Sequence, residues 1–295
     1  MKRCLHTSVY GNTERHYKHT TNQDKTMTEL MNTAEQQTLE YVNYEVKERV
    51  GYITLARAEK RNALNFEVVT ELKRAFAFAE EDEASKVLVL RAEGKVFCAG
   101  ADLEYIQRLQ EIDYHDNLID STHLMELFRM IYTLKKVVIA QIHGHAIAGG
   151  CGLAAICDFG FTVPEAKFGY TEVKIGFIPA IVKVFLLRKI GEAKAKQLLL
   201  TGDLVSAEVA EKYGLVNYVV PADELEERVF AFAQKLCAEN SKQSMEVTKE
   251  MIARVQGMTL EEGLQYASEM NAVARGSEDC QRGIAAFLNK EQINW

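Results

Sequence analysis

Apolar and polar positions along the chain follow two periods, and the changes between them divide it into elements. Residues 1–38 carry no apolar pattern, are rich in Thr, Asn, Gln, His and Lys, and read as a disordered leader. From Leu39 the period is two: LEYVNYEV, a turn at Glu48–Arg49, then VGYITLAR, a hairpin entering the core. AEKRNALN is a polar loop. Over Phe66–Glu81, Val68, Val69, Leu72, Phe76 and Ala79 recur at helical spacing. KVLVLRA is a short buried strand, and EGKVFCAGADLEYI is a loop that turns helical near Asp102. Residues 104–134 read as helix and VVIAQIHG as strand. An apolar helix then runs from Leu153 to Cys157, opened by Ala148, Gly149 and Gly150. FGFTV is a further strand, and PEAKFGYTEVKIGFIPA is expected to be loop as far as Pro179. IVKVFLLRKIG and EAKAKQLLLTG are helices closed by Gly191 and Gly202. SAEVAEKYG is a helix, GLVNYVV a strand, and the chain after Pro221 is helical to about Asn289.

Strands alternating with helices, followed by an all-helical end, predict an α/β core over 39–220 and a helical C-terminal region over 221–295. The 295 residues suffice for one large domain with an appendage, and no internal repeat is evident. A net charge of −7 argues against general nucleic-acid or membrane-surface binding, and leaves room for a local basic patch toward a phosphorylated ligand. No apolar run reaches membrane-span length, and the first thirty residues lack a secretory core, so the expected location is cytoplasmic. The alternative is the mitochondrial matrix with the leader as targeting peptide, which Glu14 and Asp24 weigh against; Met27 and Met31 are alternative starts. The six cysteines are scattered through mostly apolar segments and read as buried reduced thiols.

Two turns share a design. FCAGADL follows KVLVLRA, and AGGCGL follows VVIAQIHG, so small residues stand where a strand gives way to a helix. If those strands are neighbours, the backbone N–H groups of Ala101 and Gly149 can converge on one carbonyl oxygen. Two such donors would stabilise an enolate and acidify the carbon beside it. Small residues at such turns also serve close packing alone, and the pattern by itself leaves both readings open.

The segments RNALN, FCAGADL, GHAIAGGCGL, TEVKIGFIP and LLLTGDLVSAEVAEKYGLVNYVV, in this order and spacing, resemble the enoyl-CoA hydratase/isomerase (crotonase) superfamily. The resemblance runs from about Leu39 to about Lys290. It implies a spiral of ββα units, a C-terminal helical region used in assembly, and homotrimers or dimers of trimers. An acyl-coenzyme A thioester is the implied substrate, with no metal or redox cofactor. Position by position, Ala101 and Gly149 match the oxyanion-hole donors and Glu172 a catalytic acid. Asn62, Ala63 and Leu64 match the loop along the nucleotide end of coenzyme A; Cys98, Ala99, Asp102 and Leu103 match backbone or wall positions around the adenine and pantetheine arm. Asp102 has a second reading as the cap of the helix that follows it.

Hydratases of this kind carry two glutamates, one in a motif like GGGCE and one in a motif like PE with an apolar-x-x-G pattern. Water is aligned at C3 while a proton goes to C2, and two carboxylates divide that work. Here the second is Glu172 and the first is Gly152. The overall pattern favours 2-enoyl-CoA hydration, extending to a branched-chain or methylglutaconyl-type substrate. The single glutamate favours double-bond isomerisation. Decarboxylation, thioester hydrolysis, dehalogenation and an inactive crotonase-fold binding protein keep smaller shares. Glu104, His115, Asp116 and His123 are candidates for a substitute acid, each with a solvated-face reading beside it. Tyr170 reads as a pocket wall, His145 as a packing or hydrogen-bond tie, and Lys290 as a basic position near the phosphates.

Overall fold

A computed structural model of the chain describes residues 39–295; the leader expected over 1–38 lies outside the described residues. The hairpin is β1 (Val42–Lys47) and β2 (Val50–Leu55), paired antiparallel. Its turn residues Glu48 and Arg49 have φ of 48° and 67°, the left-handed pair that a two-residue hairpin loop demands. Beyond it stand β3 (Val87–Ala92), β4 (Val137–Ile142), β6 (Phe159–Thr162) and β9 (Tyr218–Val219). The sheet order is β1-β2-β3-β4-β6-β9, parallel from β2 onward. β5 (Ala146–Ile147), β7 (Lys167–Gly169) and β8 (Val205–Ser206) form a second, three-stranded sheet in the order β5-β7-β8.

Helix α1 (Phe66–Glu81) crosses from β2 to β3 and has the predicted bounds. The side chain of Asn65 caps it, accepting from the Val68 N–H, and Val68, Leu72, Phe76 and Ala79 are wholly buried. The helix expected over 104–134 is two: α2 (Leu103–Leu109) and α3 (Tyr114–Thr133). The break has a local cause. Asp113 caps α3 by accepting from the Asp116 N–H, and the Asn117 amide donates to the carbonyls of Leu109, Ile112 and Asp113. Side chains thus satisfy the groups that a continuous helix would have paired.

The segment expected to be loop as far as Pro179 contains β7 and a 3₁₀ turn over Glu172–Ile175. A three-residue strand shows no periodicity, and its partners β5 and β8 lie far off in sequence. Helix α4 (Gly149–Ile156) is the glycine-opened apolar helix. Helix α5 (Val182–Thr201) is one run bent at Gly191, where φ is 74° and ψ 167°, so the two expected helices meet at the expected glycine. Then come α6 (Ala207–Tyr213), α7 (Leu225–Glu239), α8 (Lys242–Val255), α9 (Leu260–Arg275) and α10 (Glu278–Asn289). The boundary at 221 separates secondary structure and not packing. α7 lies against the large sheet, with Val229 and Ala233 fully buried in the common core and Phe232 packed on Phe159 and Phe161.

Buried lysines fasten helix ends. The Lys136 ammonium donates to the carbonyls of Ala79 and Asp82 at the end of α1, and Lys86 donates to those of Cys237 and Asn240 at the end of α7. Lys189 donates to the Cys157 carbonyl at the end of α4. Lys249 of α8 pairs with Asp158 at 2.7 Å and donates to the Lys136 carbonyl, tying the C-terminal helices to β4. A cation at a helix C-terminus meets both the unpaired carbonyls and the negative end of the dipole. Among the described residues no helix is long and apolar enough to cross a membrane.

Candidate active site

The site stands just past the carboxyl ends of β3 and β4, where chains leaving a parallel sheet expose backbone groups. β3 and β4 are neighbours, and the pairing continues beyond them as a parallel bridge between Cys98 and Ala146. Three hydrogen bonds clamp the CAGAD turn to the RNALN loop. Ala99 donates to the Arg61 carbonyl, Leu64 to that of Gly100, and Asp102 to that of Leu64. The Ala101 N–H lies inside this clamp and, among the described residues, donates to no protein acceptor.

The second turn packs against the first. A Cβ on Gly100, whose φ is +88°, would lie 2.8 Å from the Ala148 Cβ and 3.2 Å from the Gly149 nitrogen. Gly149 is the first residue of α4, so its N–H has no intrahelical partner, and it donates to no protein group among the described residues. Ala148 before it has φ 51° and ψ −124°, a backbone state that costs an alanine about 1–3 kcal/mol. Its own N–H is held by the Gly169 carbonyl at 2.7 Å. The geometry thus gives two adjacent turns, each with a free N–H, held by backbone bonds on either side.

Glu172 enters from β7, three residues past the Gly169 that holds Ala148. Its Oε2 is buried and, among the described residues, has no hydrogen-bond partner. Burial raises its carboxyl above the ordinary value. Tyr170 is fully buried beside the Cys151 thiol, and its hydroxyl also lacks a hydrogen-bond partner by geometry. Burial pushes the Cys151 thiol up to about 12 and the Tyr170 phenol higher than its usual range, so both are neutral at physiological pH.

The remaining expected residues divide. Asn62 has φ 53° and is fully buried; its amide donates to the carbonyls of Glu93 and Val96 and accepts from the Arg57 N–H. Cys98 is buried with its thiol on the Asn62 carbonyl. Asp102 caps α2 through the Glu104 and Tyr105 N–H groups and pairs with Arg57 at 3.0 Å. These three side chains are committed inward, so what they leave for a ligand is backbone. Ala63 and Leu64 are buried in the clamp, Ala99 is half-buried, and Leu103 is 64% exposed. His145 is a tie, its Nδ1 accepting from the Lys167 N–H.

None of the substitute acids reaches Gly152. His123 stacks on Phe66 and bonds Thr70 and Lys73 of α1, with burial and the Lys73 charge lowering its pKa. Glu104 pairs with Lys60 at the surface, and His115 and Asp116 are exposed. What surrounds Gly152 is hydrocarbon: a Cβ there would lie 2.3 Å from the Val182 Cγ1 and 3.0 Å from the Phe128 ring. Sequence reasoning did not single out Val182 or Phe128, because only the tertiary approach of α5 and α3 to α4 brings them to Gly152.

Residues 45–295 match the family described as Enoyl-CoA hydratase/isomerase. A Thermus thermophilus protein provisionally named an enoyl-CoA hydratase is 42% identical over 244 residues, covering 83% of this chain and 96% of its own. The crotonyl-CoA hydratase of Syntrophomonas wolfei is 32% identical over 260 residues, covering 87% of this chain and 98% of its own. The crystal structure of a Mycobacterium smegmatis enoyl-CoA hydratase superposes with a TM-score of 0.81 at 30% identity, covering 86% of this chain and 98% of that one.

Proposed function

The chain belongs to the enoyl-CoA hydratase/isomerase family, and from that premise we propose that it is a 2-enoyl-CoA hydratase in which Glu172 alone carries the proton traffic. The observation that carries this reading is the pairing of two free backbone donors, Ala101 and Gly149, with a nearby carboxylate whose Oε2 is buried and unpartnered.

In this reading the thioester carbonyl oxygen accepts from both N–H groups, which draws electron density from the conjugated double bond and makes C3 electrophilic. The Glu172 carboxylate takes a proton from water as the water oxygen bonds to C3. The resulting enolate then takes that proton from Glu172 at C2. One C–O and one C–H bond form, the C2=C3 π bond is lost, and the carboxylate is regenerated. The chemistry draws on the chain's own groups, with no metal or redox cofactor. Relatives that bear hydratase names, one of them for crotonyl-CoA, support it.

A second reading, enoyl-CoA isomerisation, is favoured by the packing at Gly152. There Glu172 takes a proton from C2 of a 3-enoyl thioester, the double bond moves into conjugation, and the proton returns at C4. The reading includes trimeric or hexameric assembly and a cytoplasmic location. Apolar side chains at the surface of the C-terminal helices, among them Leu260, Leu264, Phe287 and Leu288, support the assembly.

The test is to incubate the protein separately with crotonyl-CoA and a 3-enoyl-CoA while following the conjugated-thioester absorbance. Loss with the first is expected for hydration, and gain with the second for isomerisation. No change with either, under conditions where coenzyme A binds, overturns both.

A further inference from the structure

Gly152 is the fourth residue of α4, inside a helix, where glycine is a poor choice on propensity alone. A helical glycine in the core therefore needs a packing reason, and here it has one. The α5 backbone enters at Val182, whose side chain is 5% exposed and whose Cγ1 would sit 2.3 Å from a Cβ at 152. The Phe128 ring of α3 would also lie within 3.0 Å of that Cβ, and it is wholly buried. Neither neighbour is the far end of a flexible chain: Val182 is β-branched at the start of a helix, and Phe128 is packed on Phe185. A substituent at 152 thus has no room to enter unless Val182 gives way. Gly152 also stands three residues after Gly149, on the same face of α4 as the oxyanion donor.

Resting on the reading of the site as an enoyl-thioester catalyst, we propose that Val182 is its specificity-determining residue. Its isopropyl group fills the volume that a side chain at 152 would need and commits the site to one carboxylate. The pair Gly152 and Val182 acts as one unit, small on α4 and large on α5. The packing it builds is hydrocarbon and offers no group to orient a water molecule. The proton chemistry is thereby confined to Glu172, and proton transfer between carbons of the acyl chain is favoured over water addition relative to a two-carboxylate site.

Two measurements test this. In a thermal-melting cycle, Gly152→Ala lowers the melting temperature, and in the Val182→Ala background the same substitution costs less than half as much. Equal losses in the two backgrounds overturn the steric unit, whatever the reaction is. In the second, the double variant Gly152→Glu with Val182→Gly is compared with the wild type for crotonyl-CoA hydration and for isomerisation of a 3-enoyl-CoA. The ratio of hydration to isomerisation should rise by about tenfold or more. An unchanged ratio in the folded double variant overturns the role in specificity. A wild type inactive on both thioesters would sink the functional reading and leave the melting cycle to decide the packing claim.

Discussion

Glu172 holds one carboxylate oxygen out of water and without a partner, so ionising it disfavours the folded state. The folded protein therefore keeps this proton to a higher pH than the unfolded chain, where the carboxyl titrates near its ordinary value of 4.5. Below that value both states are protonated and the group adds nothing to the balance. As the pH rises through the folded value, stability is lost. Glu172→Gln should then melt at a higher temperature than the wild type at pH 8, with the difference closing toward pH 4. An equal or lower melting temperature at pH 8 would show that the carboxylate finds a partner in solution. The same variant should lose about 10²–10⁴-fold in turnover while coenzyme A affinity stays within about threefold. The acid limb of the wild-type pH–rate profile should lie above 4.5, because hydration needs the ionised form. Ala148, whose N–H is held by the carbonyl of Gly169 three residues before Glu172, carries the opposite kind of cost, a backbone strain that aims the Gly149 N–H and leaves it unpaired.

Among the elements, α2 has a short history and a large duty. Its cap, Asp102, follows the donor Ala101 directly, accepts from two N–H groups and pairs with Arg57. Asp102→Ala should destabilise the protein by about 1–2 kcal/mol through the lost cap. It should also lower kcat/KM, because the turn that holds the Ala101 donor loosens. Asp102→Asn, which can still cap, should restore most of the stability and part of the rate; a rate untouched by either change would free α2 of any role in positioning. How much of this was legible follows from the range of each signal. Phe66–Glu81 could be read to the residue because its apolar face and its Asn65 cap are both local. The hairpin turn, the kink at Gly191 and the glycine-opened α4 were legible for the same reason. The break at Asp113 was not, since it depends on one asparagine amide reaching three carbonyls. Nor was β7, whose three residues become a strand only through partners about twenty and forty residues away. In the candidate site, the motifs pointed to Ala101, Gly149 and Glu172, while the reason for Gly152 lay thirty residues downstream in Val182.

At the scale of the whole molecule, the C-terminal helices leave apolar side chains in water, with Phe287 83% and Leu288 72% exposed. In the proposed assembly these are covered by neighbouring copies. Phe287→Asp should shift the sedimentation profile toward monomer, with little change in the monomer's circular dichroism; an unshifted profile would place the interface elsewhere. The inward tie of the same region is different in kind, for Lys249 reaches through α8 to Asp158 and to β4. It belongs with Lys86, Lys136 and Lys189, whose ammonium groups end on helix carbonyls and whose basicity burial lowers. An amine with lowered basicity is a better nucleophile at neutral pH, and activated thioesters acylate amines. In a protein that handles such thioesters, the hydrogen bonds and packing around these lysines keep their amines from an acyl donor. Acyl marks at Lys86 and Lys136 would record molecules that had opened, since adding an acyl group there removes the charge that closes two helix ends and bars the way back.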